Sequence, residues 1–437
     1  MKKILIILTI LTILIIPNIL SASGLSTSDL NYINDHVGGR AIGMGGAFCA
    51  VSDDPSGAYY NPAGMIFAID NQISLSVNSY KSKTTKIDGV IGGKDYIQDI
   101  SSFYPSFFGV IQTFGKYKVG FSFVNINNEI LDQDSYFKNL NLTDSAGEPV
   151  KSEFLMNYNI SENTMLAGPS FSTFISQNVS FGLSFYGLKS SKQQIANQMV
   201  INNSANEKTY EIINLYITDD MYGLLPVFGL QYMPFKEIAF GTSLQYGYIL
   251  SHKRQTQYFM KSSAGGSDMN AVDSDDVPLV QLVNSKGKVT SSKYPLVWRN
   301  GIAYFPSEKL ILSFDIIAHL AIAGFSDMYF DTPVQNTFNW AAGMEYFVID
   351  QFPIRFGIFT NMANTPEVSK SLQNQEMHIN MYGGSTSISW QTKSSAVTLG
   401  GYLQYGEGEA QAVGGTTQTQ KASILLYSIA LTGSAMY

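Results

Sequence analysis

From residue 72 to the C-terminus the chain keeps a period of two. Gln72-Ile73-Ser74-Leu75-Ser76-Val77 alternates polar and apolar positions, and Val179, Phe181, Leu183 and Phe185 oppose Ser180, Gly182 and Ser184. Ile238, Phe240, Leu244, Tyr246 and Tyr248 oppose Gly241, Ser243, Gln245 and Gly247; Leu310, Leu312, Phe314, Ile316 and Ala318 oppose Ser313, Asp315 and His319. In the last segment Leu425, Tyr427, Ile429, Leu431 and Tyr437 oppose Ser428, Thr432 and Ser434. Alternation of this kind assigns each set to one face of a sheet. Tight turns are read at 114–117, 176–178, 234–237, 306–309, 349–353 and 391–395. Long polar links are read at 81–102, 127–162, 190–221, 251–293, 321–334, 362–377 and 406–420. Short turns alternating with long links fit an up-and-down barrel with short periplasmic turns and longer outer loops. A soluble sandwich would give the same alternation, with the apolar face as its core.

Ahead of the strands lies a stretch of another kind, Gly38–Phe67, rich in Gly and Ala and nearly free of alternation. Gly38-Gly39 and the run Gly43, Gly45 and Gly46 suit a chain folded tightly in a confined space. Asp54-Pro55 predicts a helix start with Asp54 as N-cap, and Pro62 requires that helix to end before Asn61-Pro62-Ala63. Earlier still, Lys2 and Lys3 precede an apolar run, Ile4–Ile16, that is shorter than the ~20 residues of a spanning helix. Small residues follow at Ser21-Ala22-Ser23, so residues 1–23 read as a signal peptide with the mature start near Gly24.

Composition bears on the choice between sandwich and barrel. Charged residues make up 14% of the chain, against roughly 25% in soluble domains. The 26 Tyr and 27 Phe suit aromatic girdles at two lipid–water boundaries. With the export signal and the aromatic C-terminus, this favours the membrane barrel: all-β, transmembrane and antiparallel. Residues 24–71 are expected to plug the lumen as a hatch of short helices and coil, and residues 72–437 to form the wall. The net charge of −7 gives no reason to expect nucleic acid. Cys49 is the only cysteine, so no intramolecular disulfide is possible, and it reads as a packed side chain of the plug.

The Gly38–Phe67 stretch resembles the N-terminal signature of the outer-membrane long-chain fatty-acid transporter family, the FadL/TodX type of hydrophobic-compound channel. The likeness lies in the Gly/Ala run, the acidic pair Asp53-Asp54 and the motif Asn61-Pro62-Ala63. Similar phrasing at Trp298–Ile316 extends it over most of the mature protein. The resemblance implies fourteen strands, an internal N-terminal hatch and lateral release of substrate near a kinked early strand. Tyr437, an aromatic ending an alternating strand, resembles the signal read by bacterial barrel-assembly machinery. The implied setting is the bacterial outer membrane, with its lipid and hydrophobic small molecules such as long-chain fatty acids as partners. No cofactor is implied.

Catalytic patterns are not apparent. His36, His252, His319 and His378 are scattered without zinc spacing, and no nucleophile elbow is present. Asp273, Asp275 and Asp276 lack the spacing of a calcium loop and read as a solvated link. Four charges fall on expected lumenal positions: Arg299 with Asp315, and Glu345 with Arg355, each pair expected directly opposite across a hairpin. Two readings of these pairs stay open, a polar collar gripping the plug through Arg40, Asp53 or Asp54, and ordinary lumenal ion pairing. The expected function is passive uptake of hydrophobic compounds. A protein-secretion docking subunit or surface adhesin on the same fold is the alternative, kept alive by the long link 251–293.

Overall fold

The computed structural model describes residues 30–69, 71–143, 149–203, 208–262, 280–283, 294–321, 325–326, 331–332, 334–373, 375–412 and 417–437. The expected leader and the Asp273-Asp275-Asp276 cluster lie outside the described residues. Two short helices come first, α1 (Gly39–Gly43) and α2 (Gly57–Tyr60), then a 3-10 turn at Pro62–Phe67. The strands follow: β1 (Gln72–Ile91), β2 (Lys94–Phe114), β3 (Tyr117–Thr143), β4 (Pro149–Ser176), β5 (Val179–Asn203) and β6 (Lys208–Phe235). Next come β7 (Ile238–Gln245), β8 (Tyr248–Ser262), β9 (Val280–Val283), β10 (Leu296–Ser307), β11 (Leu310–Leu320), and the two-residue strands β12 (Phe325–Ser326) and β13 (Asp331–Thr332). The chain ends with β14 (Thr337–Ile349), β15 (Phe352–Asn361), β16 (His378–Gln391), β17 (Ser395–Ala410) and β18 (Gln420–Met436).

Pairing is antiparallel throughout, and β18 closes on β1 from Gln72↔Met436 onward. The wall is a closed barrel of fourteen strands, with β7 and β8 as successive halves of the seventh. That strand, expected to be continuous over 238–250, breaks at Tyr246-Gly247. Below the break β7 pairs with β6 and β10; above it β8 pairs with β6 and β9.

The outer links differ most from expectation. Residues 81–91, 94–102, 127–143, 149–162, 190–203 and 208–221 are not loops; they continue the strands as tall outer extensions. β3 to β6 run 27, 28, 25 and 28 residues, where a membrane crossing needs ~9–11. β4 shows why these polar segments stay extended. Even-numbered residues face inward from Val150 to Ser172. In the lower part the inward residues are Ser170 and Ser172 and the outward ones are Pro169 and Phe171, the pattern of a lipid-facing wall. Above Thr164 the apolar face changes sides: Phe154, Met156, Tyr158 and Ile160 are buried inside, while Lys151, Glu153, Asn157 and Asn159 face out. The outer strands thus form a crown with an apolar interior, to which Ile87, Ile100, Leu131, Leu215 and Ile424 add, and which runs on to Ile42, Ala47 and Phe359 below.

Inside the lower barrel lies the N-terminal segment. Ala41, Ile42, Met44, Phe48, Cys49 and Ala63 are fully buried. Wall serines bind its backbone: Ser184 Oγ donates to Ala58 O (2.7 Å), Ser180 Oγ to Ala63 O (2.9 Å) and Ser243 Oγ to Tyr60 O (2.7 Å).

Candidate functional site: the cavity above the N-terminal segment and its lumenal collar

The segment's local structure follows from its punctuation. Asp54 does not cap α2. Its Oδ1 accepts from Ser56 N (2.8 Å) and Ser56 Oγ (2.6 Å), closing a turn, and the helix starts later, at Gly57. Asn61 ends the helix and caps the 3-10 turn, its Oδ1 accepting from Ala63 N at 3.2 Å with Pro62 in the first turn. Asn61 Nδ2 donates to Cys49 O (2.9 Å) and Leu230 O (3.2 Å), so this side chain joins two parts of the segment and the wall. Pro62 and Ala63 rest on wall glycines. A Cβ on Gly182 would lie 2.2 Å from Pro62 C, and one on Gly229 would lie 2.1 Å from Asn61 Oδ1. Gly43 O accepts from Ser385 Oγ (3.1 Å). Gly45 and Gly46 have φ of 64° and 81°, a region costly for other residues, and turn the chain beneath the His36 ring.

All four expected lumenal charges are buried and point inward. Glu345 and Arg355 are direct cross-strand partners, Arg355 Nε donating to Glu345 Oε2 at 2.5 Å. Arg40 of α1 grips the same carboxylate with Nε (2.9 Å) and Nη2 (3.1 Å), while its Nη1 donates to Asp53. Arg299 and Asp315 do not face each other: Arg299 pairs with Ile317 and Asp315 with Gly301. The hairpin turns one residue later than expected, and β10 carries an irregularity between Tyr304 and Ser307, where Pro306 cannot donate to the ladder. Each of the two charges meets the N-terminal segment instead. Asp315 Oδ2 accepts from Phe48 N (2.9 Å) and Cys49 N (2.8 Å). The Arg299 guanidinium stands 5.8 Å and 5.5 Å from the ring centres of Tyr59 and Tyr60.

Above this N-terminal segment is a cavity of about 230 Å3. Its floor is Gly45, Gly46, Tyr59 and Tyr60, and the lead-in Asn31–His36 forms one side. Ile126, Ile217, Leu225 and Phe359 add apolar surface; Lys192, Asp219 and Arg254 add charge, and His252 and His319 add imidazole rings. His36 packs edge-on against Phe359 and Tyr402. Burial, with the Arg299 charge as a lesser cause, lowers its pKa to about 3, so its ring is neutral. Among the described residues no cluster of three or more His, Cys, Asp or Glu could hold a metal ion.

Among the described residues, β2 and β3 leave a seam in the wall. β2 and β3 are laddered only from Phe107↔Val124 to Phe114↔Tyr117, although both strands run on outward. Where the ladder stops, three adjacent strands are irregular: β1 at Asn78–Lys81, β2 at Ser106, and β3 between Asn125 and Asn127. Bulges bend strands and end pairing. Beyond them side chains bridge the seam: Ser102 Oγ to Asn128 O (3.3 Å), Gln133 Nε2 to Ile97 O (2.8 Å) and Lys94 Nζ to Lys138 O (3.2 Å). Behind it a buried ion pair joins Lys83 to Glu129 (2.9 Å). The cavity reaches this level through Ile126 and Asn127.

Solved structures share this architecture. A Pseudomonas aeruginosa FadL homologue superimposes with a TM-score of 0.65 at 13% identity, over 93% of this chain and 99% of that one. The Ralstonia pickettii toluene transporter TbuX gives 0.59 at 13% identity, over 93% and 99%. The P. putida toluene transporter TodX gives 0.58 at 13%, over 92% and 99%. The fold is that of the FadL/TodX hydrophobic-compound channels. No family model and no curated protein matches the sequence.

Sequence reasoning did not locate the seam. The available signal was Pro105, a residue that cannot donate to a ladder and marks a bulge or edge inside a strand. It also passed over Asp35, ahead of the Gly-rich stretch, Lys81, at the start of a segment read as a link, and Tyr104, in a segment read as strand.

Proposed function

We propose that this protein is an outer-membrane channel for passive uptake of hydrophobic compounds, with long-chain fatty acids as its substrates. The observation that carries the reading is the cavity: apolar on one side, charged at its rim, and floored by a plug tied to the wall. A cavity near 230 Å3 is larger than the ~150 Å3 apolar void that takes up benzene. The rim cations Arg254 and Lys192, the latter 3.5 Å from the Glu162 carboxylate, suit a carboxylate head better than a bare hydrocarbon. Residues 24–71 act as the hatch, and Arg40, Asp315 and Arg299 act as a collar that holds it. The solute leaves sideways along the β2–β3 seam, where no backbone ladder has to break. The leader is removed near Gly24.

Equilibrium binding of a fluorescent long-chain fatty acid to the detergent-solubilised protein tests this, with unlabelled fatty acid and toluene as competitors. Saturable binding displaced by fatty acid supports the reading. Displacement by toluene alone moves the substrate to monoaromatics. The tall crown supports a second reading, a docking subunit for a secreted protein, since ordered outer hairpins offer a broad polar surface. A folded barrel with no saturable binding of either compound favours it.

A further inference from the structure

We propose that the outward face of β4, β5, β6 and β8 binds a phosphorylated glycolipid of the outer leaflet, with acyl chains against the lower wall, a phosphate at Lys189 and Lys253, and sugars on the amide-rich face of the crown. This rests on the outer-membrane setting of the reading above, not on what passes through the lumen.

Along β5 the outward side chains change character at one level. Val179, Phe181, Leu183 and Phe185 are apolar, Gly187 follows, and then come Lys189, Ser191 and Gln193. The eleven residues Val179–Lys189 match the ~9–11 of a single crossing, so Lys189 stands at the outer lipid boundary. Its neighbours change at the same level. Lys189 is the register partner of Tyr222 on β6, and Tyr222 that of Ser251 on β8. Below Tyr222, Phe228 and Leu230 are exposed to lipid; beyond Ser251 stands Lys253. Lys189 Nζ lies 6.0 Å from the centre of the Tyr222 ring. Lys253 is the register partner of Asp220, whose Oδ1 accepts from Ser191 Oγ at 2.7 Å. Both lysines are exposed, and neither forms an ion pair with a described residue. By contrast Lys83, Lys86 and Lys192 of the crown all have carboxylate partners.

Above the lysines the face carries amides. Asp134, Asn157, Asn197 and Asn214 are register partners in one outward row across β3 to β6. Asn157 joins the row: its Nδ2 donates to Asp134 Oδ1 (2.6 Å), and its Oδ1 accepts from Asn159 Nδ2 (2.8 Å) and Asn197 Nδ2 (3.4 Å). Asn is depleted in strands, so three in one row work against the sheet that carries them. An amide both donates and accepts, which is what a sugar hydroxyl needs. No Lys or Arg lies in 132–134, 157–161, 193–197 or 214–218, so these rows suit a neutral polyol rather than a polyanion. The vertical order selects the occupant. Asn197 is eight residues beyond Lys189, roughly 26 Å along the strand, out of reach of a phospholipid head group. A soluble polysaccharide leaves the two boundary cations unmatched. A phosphorylated glycolipid meets all three levels in the order it presents them: chains, phosphate, sugars.

The test is native mass spectrometry of the purified protein released from nanodiscs that hold equal amounts of a rough-type lipopolysaccharide and phosphatidylglycerol. The wild-type chain is expected to retain the lipopolysaccharide several-fold over the phospholipid. Lys189→Gln with Lys253→Gln should cut that retention several-fold, as should enzymatic removal of the lipid's phosphates. Asn157→Thr with Asn197→Thr raises strand propensity; it should cut retention of lipopolysaccharide and leave that of phosphatidylglycerol unchanged. Lys393→Gln, in the turn between β16 and β17 at the other rim, should change neither. Equal retention of the two lipids by the wild type overturns the proposal, as does undiminished retention in the double lysine variant. Loss in the lysine variant with no effect of the Asn pair also overturns it, in favour of a plain anionic-lipid contact. Fatty-acid binding is measured on the same preparations. A protein that retains lipopolysaccharide and binds no fatty acid sinks the uptake reading and leaves this proposal standing.

Discussion

Glu345 serves two guanidinium groups at once, Arg40 from the N-terminal segment and Arg355 from the neighbouring strand. With its side chain 1% exposed, its charge has little water to fall back on, and neither do the cations it neutralises. Removing one partner of a buried ion pair costs about 3–5 kcal/mol, because the others are left buried and uncompensated. Glu345→Gln is therefore expected to loosen the hatch while the wall's backbone ladder persists. Cys49 supplies the readout: it is fully buried and is expected to resist maleimide in the native protein and to react in E345Q. Wall glycines make a parallel prediction by sterics. Gly229→Val puts a side chain where Asn61 Oδ1 already sits at 2.1 Å from the nearest possible Cβ. Overpacking of this kind costs about 1–3 kcal/mol, and the thermal midpoint in detergent should fall as Cys49 labelling rises. A G229V protein with native midpoint and silent Cys49 would show that Asn61-Pro62-Ala63 is not seated there.

At the scale of the strand, the seam is the element with mechanical consequence. Cross-linking the outward positions Ile97→Cys and Ile130→Cys with a short, disulfide-containing bifunctional thiol reagent, in a Cys49→Ala background, ties β2 to β3 covalently across the seam. Fatty-acid binding at equilibrium should be unchanged, while uptake into proteoliposomes should fall and recover on reduction; undiminished uptake through the locked seam would exclude it as the exit. How far such elements could be read in advance differs by kind. The lower wall was legible because Val179–Phe185 and Leu310–Ala318 alternate cleanly, one apolar face throughout. The crown was not legible as strand. In β4 the apolar face passes from odd to even positions through Ser161-Glu162-Asn163-Thr164, which is polar on both faces and reads as a loop. The collar charges stood out because they interrupt nearly uncharged strands. What they grip did not, since Phe48 N and Cys49 N are backbone groups 267 and 266 residues from Asp315. The Arg299–Asp315 register was misplaced by one step of hairpin geometry at Pro306, which alternation alone cannot fix.

The molecule as a whole is a closed lower barrel that carries an open crown on its longer strands, with the apolar face turned inward in the crown. In the lower part apolar side chains such as Phe171 and Ile316 face lipid; in the crown Phe154 and Tyr158 face a packed interior and charged residues face water. The two parts draw on different sources of stability. The lower wall rests on a closed ladder that cannot exchange its hydrogen bonds for lipid, whereas the crown rests on ordinary apolar burial. Truncating a large core aromatic costs about 3–5 kcal/mol, so Phe154→Ala should weaken the crown without disturbing the lower barrel. The sequence provides separate reporters. All three Trp, at 298, 340 and 390, lie in short strands of the lower wall and are exposed on its outer face, so tryptophan fluorescence follows that part alone. Hydrogen exchange at 127–143 and 149–163 follows the crown. In F154A, exchange in those segments should accelerate while the tryptophan-monitored thermal transition stays put. A common shift of both would mean that crown and membrane barrel form one cooperative unit, with the ladder of β3 to β6 transmitting the loss across the level where the apolar face changes sides.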